Sequence, residues 1–291
     1  MNLWKNIPLK PMLLEELDKP FNDKNYLYEI KFDGIRAIIY ASPKSLTIYS
    51  RNGLNITHLY PELQIIKNLV TVKTIFDGEI VLFDNNRPSF KKLLQRNNMK
   101  SEIRIKRCAE NNPVTFVCFD ILFENKDLTN LTLLERKKIL AKYSENKFFN
   151  KTFFIEEQGI NLFNEIVKLE LEGIVAKRKD SIYEIGERSD SWVKIKNVKD
   201  GEFFIGGYII NKNTLSLLLG EKKNNKLLYV GKVTVGQKYE LSKKILKEPK
   251  QKKSPFMDYN EKDIIYVFPQ IKIKVNYLEK TKNNHLRHPF I

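Results

Sequence analysis

Cysteine is nearly absent: Cys108 and Cys118 are the only two in 291 residues. Two thiols exclude a disulfide framework and a four-cysteine zinc module. Histidine is almost as scarce. His58 stands alone, and His285 and His288 share a terminal segment with Pro289, which argues against a histidine metal site. No apolar run approaches the length of a membrane-crossing helix. The leading residues Met1-Asn-Leu-Trp-Lys-Asn-Ile-Pro carry no apolar core of a secretory signal. A soluble protein of the cytoplasm, with no membrane partner, is the expectation. Acidic residues are in deficit, 35 Asp and Glu against 51 Lys and Arg, for a net charge of +16. That imbalance favours a polyanionic partner, and without a membrane anchor nucleic acid is preferred to an acidic lipid surface.

What is present suffices for a core. Apolar residues make up 42% of the chain, and the length favours two domains. Residues 1–25 are punctuated by proline and read as a loop with a short helix. Strands rich in Val, Ile, Phe and Tyr are expected at 27–31, 36–41, 46–50, 74–83, 114–123, 173–178 and 192–196. Helices are expected at 61–68, 89–96, 131–143 and 161–171, with Thr132 capping the third ahead of Glu135. Strands and helices do not alternate regularly, so an α+β fold with largely antiparallel sheets is expected, not a doubly wound parallel one. The segment Asn197–Gly201 reads as a boundary between domains at 1–200 and 201–291. Beyond it the pattern is nearly all β (203–210, 214–219, 227–235, 264–275), with one helix near 238–247 and a basic loop at 246–254. Short strands with one helix suit a Greek-key barrel of the OB type.

Lys31 follows the apolar run Tyr26–Ile30 and precedes the turn signal Asp33-Gly34 and then Arg36. The two-residue strand period sets Glu29 and Lys31 on one face, Tyr28 and Ile30 on the other. A lysine so placed can reach a ligand in a cleft, although a surface lysine before a turn is the plainer reading of these residues alone. Four further stretches carry charge in order. Ser50-Arg51-Asn52-Gly53 presents an arginine at a turn. Asp77-Gly78-Glu79 sets two carboxylates on one face of an apolar strand. Glu172-Gly173-Ile-Val-Ala-Lys177 starts a strand with a carboxylate and ends it with an ammonium. Trp192-Val-Lys194-Ile-Lys196 alternates strictly, so its two lysines share a face. Singly, each reads as half-solvated sheet and Phe119 as core. Together they describe a nucleophilic lysine, carboxylates for a divalent metal and cations for a polyphosphate.

In order and spread these stretches resemble the motifs of the covalent nucleotidyltransferases, the superfamily of ATP-dependent DNA ligases, RNA ligases and mRNA capping enzymes. The motifs are Lys31–Arg36, Ser50–Gly53, Asp77–Glu79, Phe119-Asp120-Ile-Leu, Glu172–Lys177 and Lys194–Lys196. Pro11-Met12-Leu13, the run Ser181–Ser189, Ile205-Gly206-Gly207-Tyr208, Tyr229–Val233 and Leu286–Pro289 narrow the resemblance to the ligase domain of bacterial end-joining DNA ligases.

That resemblance implies an ATP-grasp-like adenylation domain of antiparallel sheets flanked by helices, followed by an OB-fold barrel. It implies ATP, consumed to AMP and pyrophosphate, with Mg²⁺ or Mn²⁺. Lys31 would carry AMP, and Asp33, Lys194 and Lys196 would complete the catalytic set, the two lysines holding the α-phosphate. Glu172 first and Asp33 second would hold the metal. Glu29 and Phe119 would meet the adenine, Arg36 and Glu79 the ribose or phosphates, and Lys177 would belong to the nucleotide site. Arg51 and Arg188 would contact the nick 5′-phosphate or flanking backbone. The implied partner is nicked or broken double-stranded DNA, met by a monomer in the bacterial cytoplasm or a phage-infected cell.

One departure stands out. The family's barrel usually ends in an Arg…Asp-Lys segment. Here Arg287 lies in its approach and the Asp-Lys is absent, so self-adenylation is the step expected to suffer, with Lys280 or Lys282 as the substitutes. Two alternatives stay open: an RNA ligase or capping-type nucleotidyltransferase, and a nick-binding protein with impaired self-adenylation.

Overall fold

The computed structural model describes residues 3–5, 7–224, 226–281 and 283–291. The chain divides into two compact units, Met1–Asn197 and Val198–Ile291. The fold is α+β and dominated by antiparallel strands. Among the described residues no helix is long and apolar enough to cross a membrane.

The first unit holds two five-stranded sheets. One runs in the order Leu13–Glu16, Arg188–Lys196, Gly173–Arg178, Tyr26–Ile30, Phe154–Glu156. All its pairings are antiparallel except that of the edge strand Leu13–Glu16, which lies parallel to Arg188–Lys196. Tyr28, Ile174, Ala176, Val193 and Ile195 alternate onto one face and pack with Ile166 of the helix Gly159–Lys168. Strand periodicity therefore delivers Glu29, Val175, Lys177, Trp192, Lys194 and Lys196 to the opposite face.

The other sheet runs Leu46–Ser50, Ile35–Ala41, Thr74–Val81, Thr115–Glu124, Phe149–Lys151. Ala37, Ile39, Phe76, Ile80 and Phe116 face a large core with Leu63, Ile66, Leu93 and Ile105. These last four come from the 3-10 segment Pro61–Leu69 and the helices Phe90–Asn97 and Glu102–Asn111. The reverse face offers Ile38, Tyr40, Ile75 and Leu122, which join Leu27 and Trp192 of the first sheet in a shared cluster. The two sheets thus meet face to face.

The second unit holds a six-stranded sheet around Leu217, Leu219, Val230, Val233 and Val275, with the helix Glu240–Leu246 and the short strand pair Glu279–Lys280 and Leu286–Arg287. Its long strand Lys199–Asn211 pairs with Thr214–Lys223 on one edge and with both Ile265–Val267 and Lys272–Tyr277 on the other. A bulge between Ile205 and Gly207 lets one strand serve these partners, because the extra residue bends it. At Gly206 a Cβ would fall 2.5 Å from the Phe256 ring, so the bend demands glycine there.

Local pattern failed where pairing is non-local. The leading segment contains the strand Leu13–Glu16 and, among its described residues, no helix, because its partner lies more than 170 residues away. The short strands Phe149–Lys151 and Phe154–Glu156 and the helix Glu102–Asn111 were not anticipated either. The stretch at 264–275 is two strands, interrupted at Phe268-Pro269-Gln270. Pro269 has no N–H for a ladder.

Candidate nucleotide-binding active site

Lys31 sits one residue past the strand Tyr26–Ile30, its backbone N–H donating to the Gly173 carbonyl at 2.9 Å. Across the next pair of strands Gly173 lies opposite Lys196. Lys31, Gly173 and Lys196 therefore form one row on the inward face, with Glu29, Val175 and Lys194 in the row beside it. The Lys31 ammonium donates to Glu172 Oε1 at 2.6 Å.

Glu172 is placed by the end of a helix. After Gly159–Lys168, Glu170 adopts the left-handed conformation at φ 55°, and Leu171 N–H donates to the Ile166 carbonyl at 3.0 Å. The Asn197 backbone and side chain then hold the Glu172 and Leu171 carbonyls at 2.8 and 3.1 Å.

Gly173 has a φ of 152°, and a Cβ would fall 2.2 Å from the Ile195 carbonyl oxygen and 2.9 Å from Lys196 Cα. Gly173→Ala is expected to lose about 1–3 kcal/mol of stability, measured by urea unfolding. It should also push the strands Gly173–Arg178 and Arg188–Lys196 apart.

The facing sheet contributes Glu79, opposite Arg36 in register. Burial pushes the Glu79 carboxyl up to about 8, against the opposing pull of Lys31 and Arg36. The folded protein therefore holds this proton over a window, from about 4.5 to about 8, in which the unfolded chain has released it. Stability should be highest below that window, fall as pH rises through it, and level off above it. Glu79→Gln is expected to flatten this part of a melting-temperature profile taken without nucleotide between pH 5 and 9.

Other residues singled out in the sequence occupy positions the spacing did not foretell. Arg36, expected at the nucleotide, is committed to the fully buried Asp77 through paired hydrogen bonds of 3.1 and 2.7 Å. Tyr183 donates to the same carboxylate at 2.6 Å and accepts from the Met12 N–H at 3.0 Å. Burial and the Asp77 charge hold the Tyr183 hydroxyl well above the usual tyrosine range. Glu29, expected to face adenine, is 2% exposed and held by the ammoniums of Lys137 and Lys177. Lys177 is itself 2% exposed, 2.7 Å from Glu29 Oε2 and 4.3 Å from the Phe119 ring centre. Burial pulls its ammonium down to about 8, with Glu29 opposing. The reason is common to both clusters: a carboxylate taken out of water keeps its charge only beside a cation.

Arg51 follows the strand Leu46–Ser50 at the expected turn, with Gly53 at φ 79° donating to the Ser50 carbonyl. It lines a surface cavity of about 390 Å³ together with Pro8, Lys10, Leu13, Asn52 and Gly186. Arg188 is exposed, donates to the Leu14 carbonyl and lies 4.0 Å from Glu15. Lys137 was missed by sequence reading, as was Arg136 beside it, which pairs with Asp120 at 2.8 and 2.9 Å. Among the described residues no group of three or more His, Cys, Asp or Glu is arranged to hold a metal. Of the two lysines near the chain's last residues, Lys280 is paired with Glu221 at 2.8 Å, and Lys282 lies outside the described residues.

A strand-end lysine paired with a carboxylate, beside two further lysines on one sheet face and followed by an OB-fold unit, is the arrangement expected of a covalent nucleotidyltransferase. Family models for the ATP dependent DNA ligase domain and for the ATP dependent DNA ligase C terminal region match residues 11–196 and 211–291. The chain belongs to the ATP-dependent DNA ligases, enzymes that form phosphodiester bonds. It is 32% identical to the SPbeta prophage-derived DNA ligase-like protein LigB of Bacillus subtilis (strain 168), over 72% of this chain and 75% of that protein. It is 31% identical to the multifunctional non-homologous end joining protein LigD of Mycolicibacterium smegmatis, over 96% of this chain. There it spans about a third of the relative's length (37%). The solved structure of mycobacterial DNA ligase D complexed with ATP and MES superposes with a TM-score of 0.61 at 27% identity, covering 97% of this chain and 93% of that one.

Proposed function

We propose that the chain seals breaks bearing a 5′-phosphate and a 3′-hydroxyl in duplex DNA, by way of AMP carried on Lys31. The observation that carries this reading is the row Lys31–Gly173–Lys196, with Glu172 at 2.6 Å from the Lys31 ammonium. Lys31 sheds a proton and attacks the α-phosphorus of ATP; the bond to the β-phosphate oxygen breaks and pyrophosphate leaves. A DNA 5′-phosphate oxygen then attacks the same phosphorus and Lys31 departs. Finally the 3′-hydroxyl attacks the 5′-phosphate and releases AMP. Lys194 and Lys196 neutralise the α-phosphate, and Phe119 with the Glu29–Lys177 pair lines the base pocket. Glu79 and Arg36 bound the side toward the ribose.

One carboxylate joined by phosphate oxygens and water is a donor set that suits Mg²⁺, which takes one or two protein carboxylates. Glu172, with Asp33 second, would hold Mg²⁺ or Mn²⁺, and the ion would supply charge neutralisation at the phosphates. Arg51, with Lys10 on the same cavity wall, and Arg188 are the groups proposed for DNA phosphates. The names of two relatives, both non-homologous end joining proteins, support a role in end joining.

The test is covalent labelling. With ATP labelled at the α-phosphate and Mg²⁺, denatured protein should carry label, and a nicked duplex should be sealed. Labelling from GTP in preference would move the reading to capping enzymes. Sealing confined to nicked RNA would move it to RNA ligases. Sealing of a pre-adenylated nick without any labelling would restrict the chain to the last step.

A further inference from the structure

Lys194 and Lys196 bring two ammoniums to the same face of one strand, where like charges repel. The edge strand Leu13–Glu16 answers them. Glu16 lies opposite Lys194 in register, and the Leu17 N–H donates to the Lys194 carbonyl at 3.0 Å. Its two carboxylate oxygens take one ammonium each: Oε2 is 3.2 Å from Lys194 Nζ, and Oε1 is 2.7 Å from Lys196 Nζ. The neighbouring Glu15 is directed to Arg188 instead. The Glu16 side chain is 44% exposed and the lysine side chains 22% and 27%, so the cluster opens to water and is no buried structural pair. Loss of hydration, the largest single effect, raises the carboxyl, but the hydrogen bonds and charges of the two ammoniums together outweigh it and hold it below its ordinary value, so the anion persists at neutral pH. A bidentate carboxylate bridging two lysines occupies the place a phosphate would take on them.

We propose that Glu16 is a resident anion that competes with the nucleotide's phosphates for Lys194 and Lys196, and so sets the affinity for ATP. This rests on the nucleotidyl-transfer reading of the lysine pair. A triphosphate carries more charge and more acceptor oxygens than one carboxylate and displaces it. Glu16, on an edge strand and nearly half exposed, then turns to water without leaving a buried charge behind. In the nucleotide-free protein the same carboxylate keeps the two ammoniums together.

Glu16→Gln keeps the shape and removes the charge. Two exposed ion pairs of modest strength set the scale, so the variant is expected to bind inorganic triphosphate about three- to tenfold more tightly than the unaltered chain, by calorimetry on the full chain. The KM for ATP in Lys31 labelling should fall by the same factor, with the maximal labelling rate unchanged, and Glu16→Asp should lie near the unaltered protein. Equal or weaker triphosphate binding by Glu16→Gln overturns the proposal. So does a lower maximal rate at unchanged KM that Glu16→Asp restores, which would mean that Glu16 only positions the lysines. Triphosphate binding needs no chemistry. It decides on Glu16 even if the chain takes no label, a result that would instead sink the ligase reading.

Discussion

Lys31→Ala is expected to take no label from ATP and to lose ATP-driven nick sealing by roughly 10³-fold or more, because no other group replaces a covalent nucleophile. Sealing of a pre-adenylated nick should survive to within about tenfold, since AMP is then already on the DNA. The two assays together separate chemistry from folding. Stability should fall by only about 1–2 kcal/mol, the scale for leaving Glu172 without this partner in a partly exposed site. Lys31→Arg sharpens the point. It keeps a cation beside Glu172, but a guanidinium does not give up its proton and so offers no lone pair. It should remain as blank in labelling as the alanine variant. Label retained on either variant would place AMP on another residue and remove Lys31 from the mechanism.

The sequence revealed the site where a strand's period of two governs which face a residue takes. Glu29, Lys31, Lys194 and Lys196 were read onto single faces, and the register sets them side by side on one inward surface. It concealed which residues satisfy that surface. The helix Leu133–Leu140 buries Leu133, Arg136, Lys137 and Leu140, the spacing of a core-facing stripe. Two of those four positions are cations, and a search for apolar periodicity passes over them as solvent-facing charge. They face inward because Asp120 and Glu29 wait there. The signal was present: an arginine and a lysine standing in the apolar phase of a helix. Leu13–Glu16 failed for a different reason. Four residues, two apolar and then two acidic, carry no local period, and only pairing with Arg188–Lys196 makes them a strand. That pairing also puts Glu16 on the lysine pair, so the least legible element carries the inference about nucleotide affinity.

Arg136→Met is expected to be the most destabilising substitution in the first unit. Arg136 and Asp120 side chains are both fully buried. The guanidinium donates twice to Asp120, at 2.8 and 2.9 Å, and also to the carbonyls of Leu131 and Ser181. Asp120 Oδ1 further accepts the Ile121 N–H at 2.9 Å. Methionine fills much of the volume but offers no donor, so Asp120 is left as a charge without a counter-ion and two carbonyls lose their partner. Removing one member of a buried pair costs about 3–5 kcal/mol. In a unit of this size that is a drop of roughly 10 °C in melting temperature. Asp120→Asn should cost less, because the amide still accepts one hydrogen bond. The double substitution Arg136→Met with Asp120→Leu is the discriminating measurement. If the single loss comes from a stranded charge, the double variant should recover most of it, giving a coupling of about 2 kcal/mol or more in a double-mutant cycle. If Arg136 instead acts by bracing the Leu131 and Ser181 segments, the double variant loses as much as the two single variants added together and the coupling vanishes. Because Phe119 precedes Asp120 and Trp192 donates to Ser181 Oγ at 3.0 Å, a bracing role would also appear as weakened ATP binding at temperatures where the protein is still folded.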